Sequence, residues 1–343
     1  MERWITTLCA VALLGFAAVS DGHAATLLIG NTETSSIVQI DTETSEVKEF
    51  IAAGSGGLIS PDDLTYGPDG NLYVSSGTNT TGQILKYDGK TGAALGVFAE
   101  TPGLRRPYGV AFGPDGYMYV SSFRSDEILR FDAETGDFFD VFAAGDGTMD
   151  GLNGPNDLLF TEDGRLLVTT QGSVADASGE ISFEFDSQVL AYDIETGVGE
   201  VFVQQPSPSP DSFGFVSFLG LTIGPDDLLY TSDFANGIRV YDPFTGTLLD
   251  ELDTNFTGTT PSGNFIGNLA FLEEDLFFVG FDLNNGDLGS LLLATDGAPD
   301  VFLTDALLQR PIGLTVMPQP IPLPASLPLL FAGLIALRGL RRR

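Results

Sequence analysis

Two turn formulas recur along this chain, and together they leave few folds open. The first joins two apolar runs through an acidic, Gly-containing turn. It occurs as TYGPDGNLYVSS (65–76), AFGPDGYMYVSS (111–122), LFTEDGRLLVTT (159–170), TIGPDDLLYTSD (222–233) and AFLEEDLFFVGF (270–281). The second occurs as IDTETS (40–45), YDGKTG (87–92), FDAETG (131–136), YDIETG (192–197) and YDPFTG (241–246), with a worn copy, ATDGAP, at 294–299. In both, Asp accepts backbone hydrogen bonds within the turn and Gly supplies positive φ, so these residues serve hairpin geometry rather than ligands. Residues 107–142 hold one complete unit, with apolar runs at 108–112, 117–121, 128–131 and 138–142. Short β-rich runs separated by Gly, Pro and Asp read as consecutive antiparallel strands. A four-stranded meander of this size cannot bury both faces alone, so its copies must pack on one another.

The second formula is present six times and the first five. The missing half-unit lies at the N-terminal end, where residues 26–51 offer three strand-like runs (27–30, 37–40 and 47–51). The missing inner strand is expected from Pro311-Ile312-Gly313-Leu314-Thr315-Val316, whose Ile-Gly-Leu-Thr matches Leu219-Gly220-Leu221-Thr222. One C-terminal strand added to three N-terminal ones makes a sixth blade and removes the open sheet edges. The expected fold is all-β: a six-bladed β-propeller of four-stranded antiparallel blades over residues 25–316. A β-sandwich would not repeat one turn formula six times, and no stretch of the body shows sustained helical periodicity.

Two insertions interrupt the period, 172–188 (GSVADASGEISFEFDSQ) and 206–217 (PSPSPDSFGFVS). In an up-and-down meander both emerge on the face that carries the entrance to the inner strands, and long loops grouped on one face of a rigid scaffold are where binding concentrates. The residues that start the inner strands are therefore the candidate mouth: Asp62, Asp63, Tyr108, Asn156, Asp157 and Asn268. A strand-end hydrogen-bonding role is the competing reading for each.

Composition narrows the chemistry. Residues 25–316 carry 45 Asp/Glu against 10 Lys/Arg, a surface that repels nucleic acid and anionic membranes. Residues 1–24, with Arg3, an apolar stretch from Leu8 to Val19 and Gly22-His23-Ala24 before Ala25, have the pattern of a secretory signal peptide. The single Cys (Cys9), His (His23) and Trp (Trp4) all lie upstream of that cut. The exported protein is then expected to lack Cys–His and Ser–His–Asp catalysis and zinc sites built on Cys or His. At the other end, an uncharged stretch from Ile321 to Leu337 precedes Arg338 and Arg341-Arg342-Arg343. It is close to the lower limit of roughly 17–25 residues for a spanning helix, and the arginines are expected to stay cytoplasmic.

This tail (317–343) resembles the PEP-CTERM class of bacterial sorting signals, in the variant with a Val-Pro-Leu-Pro-Ala start; here the start is Ile321-Pro322-Leu323-Pro324-Ala325. The resemblance implies export, transient inner-membrane anchoring, cleavage by an exosortase in a Gram-negative envelope, and association with extracellular polysaccharide or another surface protein. The body resembles NHL-type propeller repeats: Gly145-Asp146-Gly147, Asn153-Gly154-Pro155 and Thr161-Glu162-Asp163-Gly164 follow that family's order of Gly-rich loop, Pro, apolar strand and acidic turn. NHL proteins are mostly binding scaffolds, and their streptogramin-lyase-like and amidating-lyase relatives use His at their sites. Pro155-Asn156-Asp157 also resembles the gluconolactonase/senescence-marker family of six-bladed, divalent-metal lactonases. That resemblance implies Asn156 and Asp62 as metal ligands, while the other two ligand positions fall at Leu219 and Gly267.

The reading with most support is an exported, surface- or matrix-associated binding propeller without catalysis. The alternative is a calcium-dependent lactonase-like hydrolase, with Asp62 and Asn156 holding Ca²⁺ and Asp157 or Asp63 as base; calcium is the one cofactor this implies. A third is an envelope protein with structural duty whose acidic faces bind calcium diffusely.

Overall fold

Thr and β-branched or aromatic residues between Asp-Gly turns give strands, and the turns fix which strands pair. The structure is a computed structural model that describes residues 26–318 apart from 236, 296 and 297. The expected export signal, the sorting tail beyond residue 318 and part of the worn sixth turn lie outside the described residues.

Blade 1 opens with β1 (Thr26–Asn31), β2 (Ser36–Asp41) and β3 (Val47–Ile51). Blade 2 holds β4 (Leu64–Tyr66), β5 (Leu72–Thr78), β6 (Thr81–Tyr87) and β7 (Ala94–Glu100). Blade 3 holds β8 (Pro107–Phe112), β9 (Tyr117–Ser122), β10 (Glu127–Asp132) and β11 (Phe138–Ala144). In blade 4, β12 (Pro155–Phe160) and β13 (Arg165–Thr170) are followed by an inserted hairpin, β14 (Ser173–Ala175) and β15 (Ile181–Phe183), before β16 (Val189–Asp193) and β17 (Gly199–Val203) complete the sheet. Blade 5 is β18 (Phe218–Ile223), β19 (Leu229–Asp233), β20 (Gly237–Tyr241) and β21 (Leu248–Leu252). Blade 6 is β22 (Asn264–Leu272), β23 (Asp275–Asp282), β24 (Leu288–Thr295) and β25 (Ala298–Gln309). The last described strand, β26 (Pro311–Val316), pairs antiparallel with β1, matching Leu27 to Val316 and Ile29 to Leu314. Blade 1 is thus β26-β1-β2-β3, and the six four-stranded antiparallel sheets form a propeller. Among the described residues no helix is long and apolar enough to cross a membrane.

Among the described residues, six apolar clusters lie between neighbouring blades. Strand alternation divides each middle strand between two of them: Leu27 and Ile29 pack toward blade 6 with Phe277 and Val279, whereas Leu28 packs toward blade 2 with Leu64 and Val74. Tyr73 likewise joins Val110 and Phe131 of blade 3, and Leu158 of blade 4 joins Tyr119 of blade 3. This explains why second strands read as continuous apolar runs although the sheets are antiparallel, a pattern otherwise typical of sheets covered on both faces.

The repeated acids work as turn chemistry. Asp88 Oδ1 accepts the backbone N–H groups of Lys90 (3.1 Å) and Thr91 (2.9 Å), and Gly92 sits at φ +70°. The same bonds form at Asp41, Asp132, Asp193 and Asp242. In the first formula, Asp115 Oδ2 accepts the hydroxyl of Tyr119 at 2.8 Å, as Asp226 does that of Tyr230 at 3.0 Å.

Candidate functional site

Four of the inner strands carry a bulge two residues long, and β26 skips one residue against β1. Register shifts mark the four bulges between Pro107 and Val110, Pro155 and Leu158, Phe218 and Leu221, and Ile266 and Leu269. The first bulge position is occupied around the ring by Asp62, Tyr108, Asn156, Leu219, Gly267 and Ile312, and the second by Asp63, Gly109, Asp157, Gly220, Asn268 and Gly313. All six expected mouth residues lie here, and they line one narrow axial channel. Asp62, Asp63, Asn156 and Asn268 are buried; Asp157 is part-exposed. The channel has a volume of about 10 Å³, room for about one water.

Polar residues alternate with glycine at the second position, and the hydrogen bonds explain why. Asp63 accepts the N–H of Leu64 with one oxygen and the N–H of Val110, in the next blade, with the other, both at 2.8 Å. Asp157 repeats this with Leu158 and with Leu221 of blade 5, again at 2.8 Å. Each carboxylate closes its own bulge and clasps the next across that blade's glycine. A hydroxyl from the second strand fills the same bulge: Ser75, Ser121, Thr169 and Ser232 accept the N–H of Asp63, Gly109, Asp157 and Gly220. The Val-Ser-Ser of the repeat is therefore an axial fastening. The Asn268 side chain makes no hydrogen bond to a described residue, and its amide oxygen lies over Gly220.

These contacts bear on the metal that the lactonase resemblance implies. Asn156 donates to the carbonyl of Phe218 at 2.7 Å and accepts from Gln171 at 3.2 Å. Asp63 and Asp157 have both oxygens on backbone N–H groups, and Leu219 and Gly267 bring no side-chain donor. A hard cation needs six to eight oxygens. The residues present do not fit such an ion, and no group of three or more His, Cys, Asp or Glu suited to a metal occurs among the described residues.

Above the channel the mouth opens into a cavity of about 820 Å³. Asp62, Tyr108, Leu219 and Ile312 form its floor, and both insertions wall it: Phe183, Phe185 and Asp186 from the first, Phe215, Val216 and Ser217 from the end of the second. The inserted hairpin leans over blade 3 and is anchored there. Arg124 donates to the carbonyl of Gly179 (2.7 Å), Arg105 to that of Ala177 (3.2 Å), and Asp126 accepts the N–H of Ala175 (2.8 Å). The second insertion is tied to blades 5 and 6 by Arg239 to the carbonyl of Ser207 (3.2 Å) and Asn255 to Asp211 (2.6 Å). The two insertions thus share the face expected of them, as fixed walls.

Two further residues complete the site and were not among those expected from sequence. Arg106 and Arg310 both line the cavity and both adopt positive φ, +45° and +48°, directly before the prolines of β8 and β26. Ser60 (+48°) and Gly154 (+64°) take the same step before Pro61 and Pro155. A non-glycine residue held there costs on the order of 1–3 kcal/mol, and such residues cluster at ligand sites. The recurring X-Pro at the strand entrance was the available signal. Arg106 Nη2 lies 3.5 Å from Asp62 Oδ2, and its Nε donates to the Tyr108 hydroxyl at 3.2 Å.

Burial raises the Asp62 carboxyl from the ordinary 3.8 to about 7, against the opposing charges of Arg106 and Arg310. Burial also raises Asp63 and Asp157, and the charge of Asp63 raises Asp157 further. A carboxyl raised in the folded state holds protons that the unfolded chain has lost, so folding weakens as pH rises through that interval. Turn acids such as Asp69, Asp88 and Asp132 are lowered and act oppositely, losing their contribution as pH falls below the ordinary value. The melting temperature is therefore expected to peak near pH 4 and to fall as pH rises from there through about 7. Differential scanning fluorimetry across pH checks this, and Asp62→Asn should flatten the descent.

No protein-family model matches the sequence, and no curated protein matches it significantly. Solved structures match in fold. A nidogen/laminin complex aligns with TM-score 0.59 at 13% identity, covering 86% of this chain and 98% of the other. A catalytically inactive virginiamycin B lyase from Staphylococcus aureus with quinupristin aligns with TM-score 0.54 at 16% identity, over 87% and 94%. A candidate 6-phosphogluconolactonase from Bacteroides uniformis aligns with TM-score 0.50 at 18% identity, over 85% and 99%. At these identities the likeness concerns the fold alone, and a fold does not fix a function.

Proposed function

We propose that this chain is an exported binding propeller that takes a small organic ligand in its mouth without transforming it. The observation that carries the reading is the cavity of about 820 Å³, built on the inner-strand entrances and walled by both insertions. Its size falls within the roughly 300–1,000 Å³ of small-molecule sites, and it mixes apolar and aromatic walls with a few convergent polar groups as such sites do. Beneath the floor, the channel residues Asp63, Asp157 and Asn156 are engaged in holding bulges together, which weighs against a catalytic role for them. A general base must be within reach of a substrate proton with its lone pairs available. The signal-like N-terminal segment and the sorting-like tail support export to a bacterial cell surface or its matrix, with an exosortase as processing partner.

The test is a thermal-shift screen of the full chain against neutral sugars, sugar acids, lactones, Ca²⁺ and Mg²⁺, repeated on Leu219→Trp, which fills the cavity floor, and on Leu249→Trp, on an outer strand. Leu219 is 6% exposed and Leu249 52%. Hits are expected to lose at least about tenfold in affinity in the first variant, equivalent to about 1.4 kcal/mol, and to persist in the second. Hits that survive Leu219→Trp would remove the mouth assignment, and lactone hydrolysis with calcium-dependent stabilisation would replace it with the enzymatic reading.

A further inference from the structure

We infer that Arg106 and Arg310 form an anion clamp in the mouth, and that the ligand it takes is a hydroxylated organic acid of sugar-acid type. This rests on the mouth being the ligand site. The chain is strongly acidic, with ten Lys or Arg in residues 25–316, yet two of them are the cations that line this cavity among the described residues. Both reach it by the same device, a positive-φ residue placed before proline at the entrance of an inner strand. Their backbones are pinned: Arg106 donates its N–H to the carbonyl of Thr81 at 3.3 Å, Arg310 donates its own to Asp287 at 2.9 Å, and the Arg310 carbonyl accepts from Thr32. The side chains are left over the opening.

What marks these two guanidinium groups is how loosely the protein itself meets them. Lys86, Arg130 and Arg165 meet carboxylates at 2.8, 2.6 and 2.9 Å, the distances of charge-assisted hydrogen bonds. Arg105 and Arg124 each donate one hydrogen bond to a carbonyl of the inserted hairpin. Arg106 stands 3.5 Å from Asp62, with its Nε on the Tyr108 hydroxyl, and Arg310 stands 3.9 Å from Asp287 with no side-chain hydrogen bond of its own to a described residue. Each has an aromatic ring beneath it, Tyr108 at 5.4 Å and Phe281 at 5.3 Å, which supports a planar cation in place while leaving its edge open. A planar fork so held suits a carboxylate.

The rest of the lining selects against a purely apolar anion. Glu33 and Asp186 face the cavity as acceptors, Gln171 retains its amide oxygen and Gln205 its amide nitrogen after their hydrogen bonds to Asn156 and Ser187, and Ser60 and Ser217 add small polar groups. A fatty or aromatic acid would desolvate these groups without partners. Hydroxyl groups satisfy both the acceptors and the donors, and the face of a sugar ring suits Phe215, Phe234 and Leu219. The clamp sets charge, and the polar wall sets hydroxylation.

Isothermal titration of the full chain with D-glucuronate, its methyl ester, D-glucose and glucose 6-sulfate tests this. Glucuronate is expected to bind at least about tenfold more tightly than glucose or the ester, with affinity falling as salt is raised. Arg106→Gln and Arg310→Gln should each weaken it about tenfold or more, while Arg310→Lys, which keeps the charge and guards against a fold effect, should retain part of it. Sulfate binding as tight as glucuronate assigns the clamp to oxyanions in general and overturns the carboxylate assignment. Equal binding of glucose and glucuronate, or undiminished glucuronate binding in the folded double Gln variant, overturns the clamp. Equal binding of glucose and glucuronate that Leu219→Trp abolishes would overturn the clamp while leaving the mouth standing; binding of none of the four sugars overturns the sugar-acid assignment.

Discussion

Ending the chain before Pro311 is expected to abolish the folded propeller, whereas ending it after residue 318 should leave it folded. The difference is one strand. β26 supplies the inner edge of blade 1, pairs with five residues of β1, and places Leu314 among Leu27, Ile29, Phe277 and Val279 at 4% exposure. Ile312 is 7% exposed and packs with Leu219, Phe265 and Phe281 at the mouth. Burial of two such side chains stabilises by roughly 1.5–3 kcal/mol each, and their loss also uncovers the faces of blades 1, 2 and 6 and leaves β1 as a bare edge. A typical domain has about 5–15 kcal/mol to lose. Thermal melts followed by circular dichroism, with size-exclusion chromatography, distinguish the outcomes. Leu314→Asp in the full chain should reproduce most of the effect, losing at least about 3 kcal/mol through a charge forced into a packed seam. Cooperative melting of the shorter chain at an unchanged temperature would show that the ring does not depend on this closure.

Gly109→Val is expected to be strongly damaging at the axis. A Cβ at Gly109 would meet the carbonyl oxygen of Asn156 at 2.6 Å, the Asp157 Cα at 2.8 Å and the Leu158 nitrogen at 2.9 Å, all backbone atoms of the neighbouring bulge. No rotamer relieves contacts of that kind, so the two inner strands must separate. Separation also breaks the bond that the Ser121 hydroxyl donates to the Asn156 carbonyl across the same gap. A loss of at least about 3 kcal/mol is expected in urea denaturation. Gly116 provides the contrast: it has φ +87° but open space around its missing Cβ, so Gly116→Ala should cost only about 1–2 kcal/mol from the backbone. Equal costs at the two positions would mean that axial crowding does not hold the ring.

The architecture was legible because its instructions are local and repeated. Turn acids and glycines announce themselves within six residues, and ring closure followed from one half-unit missing at one end and present at the other. Strand limits moved by one or two residues, since hydrogen bonding runs past the apolar stretch, as in β11, which continues to Ala144. The hairpin inside the first insertion was not foreseen; Ser173–Ala175 and Ile181–Phe183 are too short to show alternation.

The site was legible in position but less so in role. The inner-strand entrances do gather Asp62, Asp63, Tyr108, Asn156, Asp157 and Asn268 on one axis. Sequence gives a carboxylate its place, but not which of its oxygens are already engaged. Asp63 and Asp157 prove to be ties between blades, whose partners are backbone N–H groups 47 and 64 residues away. Arg106 and Arg310 stand 204 positions apart in sequence and share the cavity only because β26 closes the ring beside blade 2.

The most direct test of the mouth as a ligand site is a crystal structure of the protein grown in sodium glucuronate. The account predicts a single sugar acid in the cavity above Leu219 and Ile312, its carboxylate within hydrogen-bonding distance of the Arg106 and Arg310 guanidinium groups and its ring against Phe234. A cavity holding only water, with glucuronate bound elsewhere on the propeller, would contradict it.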